Sequence, residues 1–162
     1  MILTTSRKPS RRTRSLAKAL SRFMNWRYVQ RGKMSLEDIF SLLNEGERLA
    51  ILSEVKGNPA ILRILDSSGR ELLWIRFNVS NIVKVKMDDS PVVFLGKAPF
   101  DPLLLGAIPQ NEAGLKFSRK MEFKKRVVVR RDEEWITFEF WFEDVLVFKM
   151  RVKRRGGIRV GG

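Results

Sequence analysis

The segment Thr4–Phe23, TTSRKPSRRTRSLAKALSRF, holds seven Lys/Arg and no acid. Together with the MILTT of Met1–Thr5 it reads as a short buried strand, a turn and a helix. The turn is SRKPS, Ser6–Ser10, because Pro9 disfavours helical backbone at Lys8. Ser10 is placed to cap the helix. From Arg11 to about Met24 the apolar residues Leu16, Leu20, Phe23 and Met24 recur at helical spacing. At about 100° per residue they gather on one side, while Arg11, Arg14, Lys18 and Arg22 fall within about 80° of one another on the other. The spacing predicts an amphipathic helix that buries one stripe and presents a basic ridge.

Working outward, WRYVQ (Trp26–Gln30) alternates as a half-buried strand does, and RGK (Arg31–Lys33) is a turn. Ser35 and Asp38 have capping-box spacing, which opens a helix expected to run through Leu43 and end near Gly46. RLAILSE (Arg48–Glu54), AILRIL (Ala60–Leu65) and LLWIRFNV (Leu72–Val79) read as strands separated by the turns KGNP and DSSG. Strand, helix, strand, helix and three strands predict a sheet with helices packed on it.

The later part is expected to be strand-rich. IVKVKM (Ile82–Met87) and PVVFL (Pro91–Leu95) read as short strands, and Asp101-Pro102 caps a brief helix over Leu103–Ala107. Residues 109–120 give no periodic signal. KRVVVRRD (Lys125–Asp132), EWITFEFWFE (Glu134–Glu143) and VLVFKMRVK (Val145–Lys153) read as three long antiparallel strands. In the middle one Ile136, Phe138, Phe140 and Phe142 alternate against Trp135 and Thr137. That face is either sheet core or a stacking platform for bases. No residue-level repeat joins the two parts, and the Gly-rich tail RRGGIRVGG is expected to be loose. The fold class expected is α/β, a mixed sheet with packed helices. One compact domain spans 1–162, with a first half of about 1–80 carrying the basic helix and a second of about 81–162.

With 44% apolar residues, eleven Phe and four Trp, the chain can build a real core. No apolar run approaches the roughly 20 residues of a membrane helix, and no signal-peptide stretch follows the basic start, so a cytoplasmic location is expected. The absence of Cys and His removes disulfides, thiolate zinc sites, cysteine nucleophiles and the commonest general base. Gly96-Lys97 is followed by Ala98, and Pro91 stands where a phosphate-binding loop needs its first Gly. The Asp88–Asp89 pair, or Asp132 with Glu133 and Glu134, would be the carboxylates of a magnesium nuclease, but adjacent acids in a turn are usually just solvated. No catalysis and no cofactor are expected.

The net charge of +14 is uneven, since ten of the 32 Lys/Arg and none of the 18 Asp/Glu lie in the first 36 residues. Such a field attracts polyanions, chiefly nucleic acid. At the start of the helix after Ser10 free N–H groups point outward and the dipole adds about half a positive charge, so a phosphate can sit there, and Arg7, Lys8, Arg11 and Arg12 surround that spot. An idle helix face mixes signs and gains from i,i+4 pairs, whereas this one has none. Arg31, Gly32 and Lys33 form a second candidate, or a plain turn. The runs Lys116–Arg126 and Lys149–Arg159, the latter including Lys153, Arg154 and Arg155, extend the RNA surface, meet a partner protein or merely block edge pairing.

Three ordered motifs, TTSRKPSRRTRSLAKAL, RGKMSLEDIF and EVKGNPAILRI, resemble the Brix-domain family of ribosome-biogenesis proteins in its short archaeal form. The resemblance is dense from Leu3 to about Phe77 and thinner in DEEWITFEFWFED and VKRRGGIRVG. It implies two similar α/β halves, each like the anticodon-binding domain of certain aminoacyl-tRNA synthetases. It also implies a role in pre-ribosomal RNA processing and small-subunit assembly, with a ribosomal RNA precursor, a small guide RNA and other assembly proteins as partners. The closest eukaryotic relatives look like the processome component that helps a small nucleolar RNA pair with the small-subunit precursor. The family's S-R-K-P-S-x-R-T-R segment matches Ser6–Arg14 and its R-G-K matches Arg31–Lys33, so the resemblance carries RNA contact to Ser6, Arg7, Lys8, Ser10, Arg11, Arg12, Arg14, Arg31, Gly32 and Lys33. The basic ridge adds Lys18 and Arg22. In the second half the long helix of the family pattern is reduced to FDPLLLGAI.

Overall fold

The computed structural model describes residues 1–110 and 123–161. β1 (Ile2–Thr5) leads through the Pro9 turn into α1 (Arg11–Met24), with Lys8 at φ 52°. The Ser10 side chain accepts the Thr13 N–H at the start of α1, and Asn25 ends the helix in the left-handed region at φ 62°. β2 (Arg27–Tyr28) is shorter than the alternation predicted, and α2 (Leu36–Phe40) opens with the expected capping box of Ser35 and Asp38. α2 stops at Phe40, not Leu43. Beyond it the chain tightens into i→i−3 bonds, from Leu42 N–H to Ile39 O and from Leu43 N–H to Phe40 O. β3 (Leu49–Val55), β4 (Asn58–Leu65) and β5 (Glu71–Arg76) then form the antiparallel series.

β6 (Asn78–Ser80) closes the first half, and the second contains β7 (Val92–Leu95), a 3-10 turn capped by Asp101 (Pro102–Leu105), β8 (Ile108–Pro109), β9 (Lys125–Arg131), β10 (Trp135–Phe142), β11 (Val145–Lys153) and β12 (Ile158–Val160). The strands make two six-stranded mixed sheets, ordered β12-β5-β4-β3-β1-β2 and β6-β11-β10-β9-β7-β8. In each, one strand pairs in parallel with two neighbours, β1 with β2 and β3, β7 with β8 and β9. The two orders are the same, and the last strands are exchanged: β6, which follows β5, pairs with β11, and β12, which follows β11, pairs with β5. The likeness of the halves lies in backbone order.

Two further sequence expectations are corrected. Ile82–Met87 forms no strand; it runs as a strap that touches the second sheet through the Val83 N–H to Val147 O. The tail is not loose. Arg76 N–H bonds Gly157 O and Gly161 N–H bonds Leu72 O, on either side of β12. Its glycines serve a tight return: Gly156 sits at φ 80°, and a Cβ at Gly157 would overlap Lys153 O and Val152 Cγ1.

One apolar cluster runs through both halves. From α1 it takes Leu16, Ala17, Leu20, Phe23 and Met24, from the first sheet residues such as Leu3, Leu52 and Ile64, and from the second Phe94, Phe138, Phe140 and Phe148. The Phe23 ring meets Phe140 edge-on at 5.3 Å and Phe148 at 6.3 Å. The aromatic stripe of β10 is therefore core. A second cluster, Ile39 of α2 with Ile2, Leu49, Ile51 and Leu65, covers the first sheet's other face. Where the first half has α1, the second has only the 3-10 turn Pro102–Leu105 among the described residues. No described helix is long and apolar enough to cross a membrane.

Candidate nucleic-acid interface

The basic helix is clamped at both ends. At its start the Glu54 carboxylate accepts the Ser10 N–H at 3.0 Å and the Thr13 hydroxyl, while the Ser10 hydroxyl donates to Gly57 O at 2.7 Å. The helix start is thus not the open phosphate seat that the sequence suggested, because an internal carboxylate already answers its dipole. At its end the fully buried Lys125 donates to Arg22 O at 3.1 Å and Asn25 Oδ1 at 2.7 Å. Burial pushes the Lys125 ammonium below its ordinary pKa, with the charge of Arg22 adding to the effect. The helix C-terminus supplies the compensating negative potential.

Between these clamps the ridge divides by task. Arg12 donates to Val79 O at 2.8 Å, and Arg22 to Met87 O and Asp89 at 2.6 Å each, so both hold the segment that follows β5. Arg11, Arg14 and Lys18 are exposed and make no ion pair among the described residues. They form one wall of a groove of about 1110 Å³. Tyr28 and Gln30 line it from the β2 side, and Ile82–Val85, including Lys84, line it from the strap. Sequence reasoning missed Tyr28 and Gln30, which it read only as part of a half-buried strand, and Lys84, because reading the strap as a strand hid the wall it forms.

The SRK and RGK motifs do meet, for Arg7 Nη2 reaches Lys33 O at 3.4 Å. Lys8, Gly32 and Lys33 are exposed, and Ser6 is tied by its N–H to Leu52 O. Arg31 is not available as a surface contact. It is only 8% exposed and donates to Thr5 O at 3.0 Å and Met34 O at 2.7 Å, so it fixes the turn from within. Gly32 is at φ 52° with nothing close to where a Cβ would stand, so the turn's backbone, and no close approach, calls for glycine.

Lys153 and Arg155 lie away from the ridge, around Trp135, and Arg154 donates to Asp132 O at 2.9 Å. In the run Lys116–Arg126, residues 116–122 lie outside the described residues. Of the remainder, Lys124 pairs with Asp88 at 3.1 Å, Lys125 is buried and Arg126 donates to Phe123 O and Glu143 O. Asp88 is held far below the usual carboxylate range by the Ser90 hydroxyl and N–H and by Lys124. Asp132 accepts the N–H groups of Glu134 and Trp135. Among the described residues no three carboxylates gather as a metal site would need.

No protein-family model matches the chain. A probable Brix domain-containing ribosomal biogenesis protein of Archaeoglobus fulgidus is 56% identical over 151 residues, 93% of this chain and 94% of that one. Its counterpart in Methanothermobacter thermautotrophicus is 54% identical over 80 residues, covering 49% of this chain and 50% of that one. The crystal structure of Mil, an archaeal Imp4-like protein, superposes with a TM-score of 0.75 at 35% identity, covering 99% of this chain and all of that one. A probable ribosomal biogenesis protein from Aeropyrum pernix K1 shares the fold, with a TM-score of 0.65 at 20% identity. With the ordered motifs, the paired sheets and a relative this similar over nearly its whole length, the chain belongs to the Brix-domain family of ribosomal biogenesis proteins.

Proposed function

We propose that the protein is a non-catalytic RNA-binding factor in pre-ribosomal RNA processing and small-subunit assembly, and that it grips structured RNA along the α1 ridge. The observation that carries this is the set Arg11, Arg14 and Lys18. Three exposed like charges share one groove wall with no ion-pair partner among the described residues, on a helix whose ends are fixed by Glu54 and Lys125. Such a rigid cationic edge is stabilised when a phosphate backbone neutralises it and releases counterions. The major groove of an RNA helix is too deep and narrow for these side chains to read, so selectivity would come from RNA shape and unpaired bases. Holding one strand firmly on a helix also suits a factor that helps two RNAs anneal. Membership of the family supports the biogenesis setting and a ribosomal RNA precursor as the partner.

The test is crosslinking in the native cell, followed by sequencing of the attached RNA and fractionation of ribosomal particles. Enrichment on precursor small-subunit RNA, with the protein absent from finished subunits, is the expected result. Presence in mature subunits would make it a structural ribosomal protein, and reads scattered over unrelated RNAs would make it a general RNA binder.

A further inference from the structure

A second pocket, of about 380 Å³, opens where the chain crosses between the sheets. Arg76 at the end of β5, Trp135 of β10, Arg151 and Lys153 of β11, and Arg155 and Gly157 of the following turn line it. It shares no residue with the ridge groove. No carboxylate lines it, and none of its four cations makes an ion pair among the described residues. Two separate segments thus bring like charges together around an indole supplied by a third. The Arg151 guanidinium lies 4.3 Å from the Trp135 ring centroid, and the Lys153 ammonium lies 5.9 Å from it.

We propose that this seam pocket is a second RNA contact, which takes an unpaired nucleotide with its base stacked on the Trp135–Arg151 pair and its phosphates among Arg76, Lys153 and Arg155. An indole and a guanidinium plane are both surfaces on which a base stacks, and stacking of this kind tolerates any base. The pocket has the volume of a small-ligand site, which admits one nucleotide and excludes a duplex. An acidic peptide would answer the charges but leave the indole unused, whereas a nucleotide uses both. The choice of RNA over another polyanion rests on the reading of the ridge. The two sites flank the short strand β6: Asn78 lines the seam, and the neighbouring Val79 carbonyl accepts Arg12 of the ridge helix.

The experiment measures binding of the full chain to a short unstructured oligonucleotide and to a blunt RNA hairpin of matched charge, by fluorescence anisotropy. Trp135→Leu, and separately Arg76→Ala with Arg155→Ala, are expected to weaken the single strand about tenfold and the hairpin little. The double variant alters exposed side chains, so it keeps the test valid if the Trp135→Leu chain folds poorly. Trp135→Phe, which keeps a stacking face, is expected to recover most of the loss. Photocrosslinks from 4-thiouridine in the single strand are expected on the peptide that contains Trp135. Single-strand affinity unchanged in both seam variants overturns the proposal. So does a polyglutamate peptide that displaces the single strand as well as RNA of equal charge does. The ridge reading fails separately, if Arg11→Ala/Arg14→Ala/Lys18→Ala leaves hairpin binding intact.

Discussion

Glu54 Oε2 accepts the backbone N–H of Ser10 at 3.0 Å, so the basic helix starts against a carboxylate supplied by β3. The Thr13 hydroxyl, and then the Ser10 N–H, hold the Glu54 carboxyl below its ordinary pKa of 4.5. With the folded value depressed, the unfolded chain takes up the proton first as pH falls. The stability from this contact is present above about pH 4.5 and is lost as pH drops through the folded value. Glu54→Gln is expected to cost about 1 kcal/mol at neutral pH and to flatten the decline of Tm in that acid window. A Tm profile in acid as steep as that of the wild type would assign the sensitivity to other carboxylates.

The ridge and the strap anchors separate in a binding titration. Arg11→Ala/Arg14→Ala/Lys18→Ala removes exposed charges that pair with no described carboxylate, so Tm should change little. RNA affinity should fall, and the log–log dependence on salt should flatten by about 0.7 to 0.9 for each phosphate that the variant no longer neutralises. Arg22→Ala should act in the opposite way. It removes the bonds to Met87 O and Asp89, and so should loosen the strap and lower Tm while moving the salt slope less.

The strand–turn–helix at the start was legible because Pro9, the Ser10 cap and the period of Leu16, Leu20 and Phe23 all speak for one local structure. The ridge was legible for the same reason. The strap was not, since Val83 and Val85 alternate with Lys84 and Lys86 as a strand would, and only the tertiary fold reveals that they touch β11 through Val83 N–H without forming a ladder. Nor were the burial of Arg31 and Lys125, whose partners are carbonyls and an amide oxygen that sequence spacing cannot point to. The exchange of β6 and β12 was likewise invisible, because strand pairing between distant parts of the chain leaves no local mark.

Gly157 tests whether the tail is part of the fold. A side chain there must displace the Lys153 carbonyl or the Val152 methyl, and Gly157 O is the acceptor for Arg76 N–H at the entrance to β12. Gly157→Ala is expected to destabilise by about 1–3 kcal/mol. Amide exchange at Ile158–Val160 and along the facing edge of β5 should rise together. A neutral result would mean that the turn shifts to admit a Cβ without loosening β12.

Lys125 is a buried cation with two oxygen partners, and Lys125→Met would leave Arg22 O and Asn25 Oδ1 without this donor. The expected cost at neutral pH is about 3 kcal/mol, as for breaking a buried polar pair from one side. Because burial lowers the folded pKa of Lys125 below 10.5, the unfolded chain holds the proton more tightly. This group's contribution to stability therefore rises with pH between the folded value and 10.5. The gap between wild type and Lys125→Met should accordingly widen on going from neutral to alkaline pH, as read from urea midpoints.

Phe23 decides whether the two halves unfold as one. Its ring sits in α1, a first-half helix, yet it packs on Phe140 and Phe148 of the second sheet, and Trp26 of the first half donates its indole N–H to Leu105 O of the second at 3.0 Å. If the chain is a single cooperative domain, Phe23→Ala should lower stability by about 3–5 kcal/mol. Urea unfolding followed by far-ultraviolet circular dichroism and by tryptophan fluorescence should still give coincident single transitions. Two separate units would respond differently. The second sheet would keep its own midpoint, and the two probes would diverge, since the four tryptophans are divided between the halves. The exchanged edge strands argue for the first outcome, because unfolding of either half would take the sixth strand away from the other half's sheet.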